Sequence, residues 1–421
     1  MSFDNRIHTP EGVRDIYGEE LKLKNMIEDK LDKVLKSYAY DYIETPTIEY
    51  FNVFNGDKGT ASSNEMYKLF DRENNTLVVR PDITPSIARC VAKYFSNEKL
   101  HLRLCYKGRT FKNLPRLHGK MNEVTHVGAE LIGDDESAAD GEILSMVVES
   151  MLNLGLKDFQ VSIGQVDFFR GIVKSFNLDA DVEKALRDAI TDNKTYLIRE
   201  IGHKAGIKDE LLDILAGMYV NPDNDEILKK ASDLADNEIS ANAIDRLYKV
   251  YQIMKLYGYE EYVSFDLSLI SDYDYYSGIV FKGYTYGSGS PVVAGGRYNG
   301  LISKFGLDMP SVGYAFIVDE LMFALAKQRV ELNREANGVM VLYQNEDLSQ
   351  AIKLSKALRE KDLSVLLSRK SSRSSLDDYI CHALNHEISK IIYMSDDIKI
   401  INAETKEEKT ATVDEILGGA L

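Results

Sequence analysis

The chain has 421 residues, 44% apolar and 28% charged, with 51 basic against 67 acidic side chains and a formal charge of −16. That composition excludes a disordered chain, predicts two or three domains at about 150 residues each, and opposes long-range attraction to nucleic acid or anionic membrane. No run of about 18 apolar residues is present for a membrane span, no secretory signal is expected from Met-Ser-Phe-Asp-Asn-Arg, and three widely spaced cysteines (Cys90, Cys105, Cys381) give neither a disulfide framework nor a zinc pattern, so a reducing cytoplasm fits.

In chain order, Ile27, Leu31, Val34, Leu35 and Tyr38 form one stripe of helical period after Gly18. Short runs rich in Tyr, Ile and Val then predict an antiparallel sheet: Asp41 to Ile48, Leu77 to Arg80, His101 to Tyr106, and Phe159 to Gln165. Helices at Pro85 to Phe95 and Gly141 to Leu154 are expected to pack on it. From about 174 to 259 apolar residues recur at helical spacing, as at Val182, Leu186 and Ile190, which predicts an all-helical insertion. Strand-like sequence resumes at Val263 to Val293, and a helix at Val318 to Val330 closes a first unit of residues 1–330. Polar residues 331–338 read as a linker. Strands at Val339 to Tyr343, Leu363 to Leu367 and Ile391 to Met394 alternate with helices at Asp347 to Glu360 and Leu376 to Asn385, predicting a small α/β domain over 339–421.

Most enzymatic signatures are missing: there is no GxxxxGK[ST] loop and no HExxH. Gly287 and Gly289 read as a tight turn between strands. His382 and His386 share a helix face beside Cys381 but have no further ligand pair nearby, so no metal and no cofactor is expected.

Five collinear stretches are more specific: Thr9-Pro-Glu-Gly-Val-Arg-Asp15; Tyr40-Asp-Tyr-Ile-Glu-Thr-Pro46; Val79-Arg-Pro-Asp-Ile-Thr84; Thr125-His-Val-Gly-Ala-Glu130; and Asp274-Tyr-Tyr-Ser-Gly278 followed by Ala294-Gly-Gly-Arg-Tyr-Asn-Gly300. Together, over about residues 9 to 325, they resemble the catalytic core of the class II histidyl-tRNA synthetases. The implied fold is α+β, an antiparallel sheet flanked by helices with a helical insertion, and the tail resembles that family's anticodon-binding domain. The resemblance assigns a histidine pocket. Asp82 and Thr84 stand where the family receives the α-ammonium, Glu130 and Tyr276 where it holds the imidazole, and His126 where it has Gln; Tyr275 and Arg297 complete the candidate set. An ammonium calls for carboxylate and neutral acceptors, and an imidazole for partners on both nitrogens.

The departures from the synthetase pattern bear on activity. Adenylation needs cations on the triphosphate. Where the family has Arg-Gly-Leu-Asp-Tyr-Tyr this chain reads Ser271-Asp-Tyr-Asp-Tyr-Tyr276; where it ends Gly-Leu-Glu-Arg-Leu this chain reads Ile317-Val-Asp-Glu-Leu321, with Glu320 at the Arg position; and Phe-Arg-x-Glu-Arg has become Phe111-Lys-Asn-Leu-Pro115. Two charges about 4 Å apart interact by about 4 kcal/mol at an effective dielectric of 20, and exchanging Arg for Glu reverses the sign. The tail, with 12 basic against 16 acidic residues from Glu331 to Leu421, lacks the basic character of a tRNA grip.

A synthetase-like chain that keeps a histidine pocket and loses its ATP cations resembles the regulatory subunits of ATP phosphoribosyltransferase. The resemblance implies a non-catalytic histidine-responsive subunit of histidine biosynthesis, partnered by the short catalytic subunit, with a homodimer core inside a hetero-octamer and no nucleic-acid or membrane partner. An active histidyl-tRNA synthetase and a stand-alone histidine-binding regulator stay open at this point.

Overall fold

The computed structural model describes residues 7–55, 62–114, 120–218, 223–270, 275–330, 338–386, 388–395 and 397–419. Ser271, Asp274, Pro115, His118 and all but the last residue of the 331–338 linker lie outside the described residues. The chain divides into two units, Met1–Leu332 and Asn333–Leu421.

The first unit opens with α1 (Gly18–Ser37), whose buried stripe of Ile27, Leu31, Val34 and Leu35 follows the predicted period. The strand expected over 41–48 is two strands, β1 (Asp41–Tyr42) and β2 (Ile48–Tyr50), because Pro46 has no N–H for a ladder. β1 runs parallel to the long strand β5, while β2 pairs with β4 in a separate three-stranded sheet completed by β3 (Lys68–Phe70). β4 (Thr76–Val79) leads into α2 (Thr84–Tyr94), then β5 (Leu102–Phe111), β6 (Glu123–Ile132), α3 (Ser137–Asn153) and β7 (Phe159–Gln165).

After α4 (Val166–Ser175) come five helices: α5 (Ala180–Thr191), α6 (Thr195–Lys204), α7 (Asp209–Leu215), α8 (Asn224–Leu234) and α9 (Glu238–Tyr257). No strand interrupts them among the described residues. Local sequence marks both ends of α9: Asn237 accepts from the Ser240 backbone N–H at 3.0 Å, and Gly258 supplies the left-handed closing residue at φ 74°. Leu186, Ile198, Leu212 and Leu247 join one core with Phe168 and Phe169. The chain then returns through β8 (Val263–Phe265), β9 (Ile279–Thr285), β10 (Val293–Arg297), β11 (Ser311–Ile317) and α10 (Val318–Gln328). Gly287 sits at φ 85° in a turn closed by the Ser288 N–H on the Thr285 carbonyl, which opens a longer connection from β9 to β10 than the tight turn expected.

The main sheet has eight strands in the order β1-β5-β6-β11-β10-β9-β7-β8, antiparallel throughout its middle. Successive side chains leave opposite faces. Along β6, Val127, Ala129 and Leu131 enter the core with α1 and α3, whereas Ile132 joins Ile83, Ile87 and Tyr106 under α2. This second face carries the site.

The second unit holds β12 (Gly338–Tyr343), α11 (Leu348–Arg359), β13 (Ser364–Arg369), α12 (Leu376–Asn385), β14 (Ile388–Tyr393), β15 (Lys399–Asn402), β16 (Glu408–Thr410) and α13 (Val413–Leu417), with sheet order β13-β12-β14-β15-β16. The first three strands are parallel. Val339 and Val341 serve one core and Met340 and Leu342 the other, so β12 is buried on both faces. Polar β16, Glu408-Lys409-Thr410, has no apolar alternation from which a strand could be read.

Candidate functional site

Glu130 lies mid-sheet on β6 with 1% exposure. Thr84, the first residue of α2, donates its hydroxyl to Glu130 Oε1 at 2.7 Å, and Tyr298 donates to Oε2 at 2.5 Å. Thr84 is held there by the turn before α2, where Asp82 Oδ1 accepts from the Ile83 N–H at 2.7 Å. Arg80 anchors the start of that turn, donating to the Thr45 and Arg109 carbonyls at 2.8 Å each.

Glycines make room for the large groups. A Cβ on Gly128 would stand 2.6 Å from the Tyr106 hydroxyl, one on Gly296 2.7 Å from the Tyr276 ring, and one on Gly313 would fall on the Glu130 carboxylate itself. The Tyr276 ring packs at a tilt against Tyr275, centroids 4.6 Å apart, and Tyr275 is buried and meets Tyr298 edge-on at 6.1 Å. Tyr275 is therefore the wall behind Tyr276.

The electrostatics are uneven. Burial pushes the Glu130 carboxyl up to about 8; the hydrogen bonds from Tyr298 and Thr84 oppose the rise and the Asp82 charge adds to it. Burial also raises Asp82, against the pull of Lys112. His126 is driven down to about 3 by burial, with Lys112 and Arg80 reinforcing the shift, so its ring is neutral near pH 7. The Tyr106 hydroxyl lies against the Thr84 side chain, whereas His126 Nδ1 is buried with no hydrogen-bond partner among the described residues. Buried polar atoms are rarely left so, and an orphan on the pocket face of the strand that carries Glu130 is a group that a polar ligand can complete.

Six of the seven expected residues thus fall on one face of the sheet: Asp82, Thr84, His126, Glu130, Tyr275 and Tyr276. Arg297 does not. Its guanidinium leaves the opposite face, 2.7 Å from buried Asp140 on α3 and bonded to the Asp134 carbonyl at 2.8 Å. The expectation that it lines the ligand pocket is corrected by strand alternation, which gives its neighbour Tyr298 to the pocket instead. Sequence reading missed Tyr298, Tyr106 and the three glycines. Tyr298 could have been found from its parity against Arg297; Tyr106 becomes visible only through its pairing with Gly128.

At the start of α10, Asp319 accepts from the Thr125 N–H at 2.8 Å, and Glu320 is half-buried, its carboxyl raised by burial and by Asp319 against the pull of Lys120. Two carboxylates thus stand in the first turn of α10. Among the described residues no three His, Cys, Asp or Glu side chains form a metal-holding group, and no helix is long and apolar enough to cross a membrane.

The histidyl-tRNA synthetase family profile matches residues 12–321. The fold aligns with histidyl-tRNA synthetase from Nostoc sp. PCC 7120 at TM-score 0.81, with 20% identity and 99% of each chain covered. This is a class II synthetase-like protein of the histidyl type. A solved structure described as an ATP phosphoribosyltransferase regulatory subunit/histidyl-tRNA synthetase, from Bacillus halodurans C, is 30% identical with TM-score 0.79, covering 92% of this chain and 98% of that one. The ATP phosphoribosyltransferase regulatory subunit of Acetivibrio thermocellus is 32% identical over 415 residues, 98% of this chain and 99% of the relative. The chain belongs to the family of ATP phosphoribosyltransferase regulatory subunits, paralogues of the histidyl-tRNA synthetases.

Proposed function

We propose that the chain is a non-catalytic subunit that binds free histidine in the Glu130 pocket and controls a short-form ATP phosphoribosyltransferase catalytic chain, acting in the cytoplasm in the first step of histidine biosynthesis. The observation that carries the reading is a buried carboxyl fixed by Thr84 and Tyr298 at hydrogen-bonding distance, with the unpartnered His126 Nδ1 on the same face of β6. A histidine ligand presents two ring nitrogens and an ammonium, donors and acceptors of the kind this ring of groups can complete. Asp82 and Thr84 would take the ammonium, Glu130 and Tyr276 the imidazole.

Against catalysis stands Glu320, a carboxylate in the first turn of α10, whose charge opposes a triphosphate. Control of the partner requires that histidine bind one global state better than another, a coupling of typically 1–3 kcal/mol. The functional unit we propose is a homodimer within a hetero-octamer.

The test mixes the chain with a short catalytic subunit and assays phosphoribosyl transfer with and without histidine. Activity that appears on mixing and falls with histidine supports the reading. Histidine-dependent ATP–pyrophosphate exchange by the chain alone would overturn it in favour of a working synthetase.

A further inference from the structure

Tyr276 opens the short run Tyr276-Ser277-Gly278 that leads into β9. Three hydrogen bonds hold this run. The Ser277 N–H donates to the Arg297 carbonyl at 2.8 Å, the Gly278 carbonyl accepts from the Val166 N–H at 3.0 Å, and the Tyr276 carbonyl accepts from the Arg170 guanidinium at 3.3 Å. The first two set where the run lies. The third acts on Tyr276 itself: a carbonyl turns only with its whole peptide plane, so a donor fixed on it fixes ψ of Tyr276 and the direction in which the ring leaves the chain. The ring lies over Gly296, which gives it room and no side chain to lean on.

Arg170 is itself aimed. It lies on α4, whose N-cap Gln165 accepts from the Asp167 N–H at 3.2 Å, and Asp167 Oδ1 accepts from Arg170 Nη1 at 2.9 Å. With Nη1 held by Asp167, Nη2 is the nitrogen that meets the Tyr276 carbonyl. The guanidinium stands in a cleft of about 610 Å³ between α4 and α9, whose walls include Asp245, Arg246 and Lys249 but none of Asp82, Thr84, His126 and Glu130.

We infer that Arg170 is a positioning residue of the histidine pocket: it touches no ligand and sets the Tyr276 ring by gripping the carbonyl behind it. The inference rests on the proposed function. Exposure separates this contact from a scaffold contact. The Arg170 side chain is 42% exposed, and a pair such as Arg170–Asp167 at the surface contributes little to stability, unlike the buried pair of Arg297 and Asp140. Without Arg170 the Tyr276 carbonyl turns to water and the fold remains, but the ring has no preset direction, so ligand binding has to order it.

Free histidine titrated into the full chain by calorimetry, with urea unfolding alongside, tests this. Arg170→Ala should weaken histidine binding about tenfold and leave the unfolding midpoint at the wild-type value. Lys249→Ala removes an equal charge from the same cleft, where Lys249 pairs with exposed Asp245, and should bind histidine as wild type does. Fluorine NMR of 3-fluorotyrosine placed at position 276 reads the ring without any ligand; its line should shift or broaden when Arg170→Ala is added and stay unchanged with Lys249→Ala. Wild-type affinity in Arg170→Ala, a lowered midpoint that accompanies the loss, an equal loss in Lys249→Ala, or an unchanged fluorine line would each overturn the positioning role and leave the proposed function standing. Wild type that binds no histidine removes the proposed function and this role with it.

Discussion

Arg297 and Tyr298 are neighbours in the chain that act on opposite faces of one sheet: the guanidinium reaches Asp140 at 2.7 Å beneath α3, while the next residue's hydroxyl reaches Glu130 at 2.5 Å beneath α2. The first interaction holds the scaffold and the second shapes the pocket, and substitution separates them. Asp140 is fully buried and shared with Arg246 at 2.6 Å. Removing one partner of a buried ion pair costs about 3–5 kcal/mol when the remaining charge is left uncompensated, and Arg246 still faces Asp140 when Arg297 is lost, so the low end of that range applies. Arg297→Met should lower stability by about 3 kcal/mol in urea unfolding, and Asp140→Leu, which strands both Arg297 and Arg246, should cost more. Tyr298→Phe should cost only about 1–2 kcal/mol while weakening histidine binding. Arg297→Met with unaltered stability would return Arg297 to the list of ligand residues.

The parity that separates these neighbours shows how much of the site can be read from sequence. Glu130, Thr84 and Tyr276 carry the chemistry, and their motifs are recognisable as stretches. Which face each side chain takes depends on register between distant strands. Glu130 pairs with Gly313, and Gly313 with Gly296, so these three share a face and Arg297, one residue on, takes the other. Nothing in the Ala-Gly-Gly-Arg-Tyr stretch by itself fixes that. The fold was legible where burial imposes a period, as in α1 and the five helices α5–α9. It was illegible where short polar strands such as β16 owe their state to neighbours rather than to their own residues.

The raised Glu130 carboxyl makes stability depend on pH. Its ordinary value is 4.5 and its folded value about 8, so between these the folded chain holds a proton that the unfolded chain releases. Stability from this group is therefore fully present below about pH 4.5, falls as pH rises through the window, and levels off above about pH 8. Glu130→Gln keeps the shape of the protonated form and has no proton to lose. Its stability relative to wild type should grow by an amount on the order of a few kcal/mol between pH 5 and pH 9 in denaturant titrations. Parallel curves for the two proteins would mean that Glu130 is ionised in the folded state throughout.

His126 should divide stability from binding. Its ring is neutral near pH 7, and its Nδ1 is buried without a partner among the described residues. Such an orphan costs the empty protein desolvation and returns it when a ligand pairs with it. His126→Phe, of similar shape, should leave unfolding free energy unchanged or higher by up to about 1 kcal/mol. Histidine affinity should fall about tenfold, the value of one hydrogen bond lost in a desolvated site. Equal affinity in the two proteins would remove His126 from the pocket.

Gly313 tests the close approach that builds the pocket. It sits opposite Glu130 in the β6–β11 ladder, and a Cβ there would land on the carboxylate. The carboxylate has no easy retreat, because Thr84 and Tyr298 grip both of its oxygens and Tyr106 and Tyr298 are buried around it. Overpacking of this kind costs about 1–3 kcal/mol. Gly313→Ala should lose that much in stability and abolish measurable histidine binding by displacing Glu130. Gly289→Ala, where an added Cβ meets no atom within 4 Å, is the control and should change neither. Histidine bound normally by Gly313→Ala would show that ligand recognition does not pass through the Glu130 carboxyl, and the pocket would have to be sought elsewhere on the sheet.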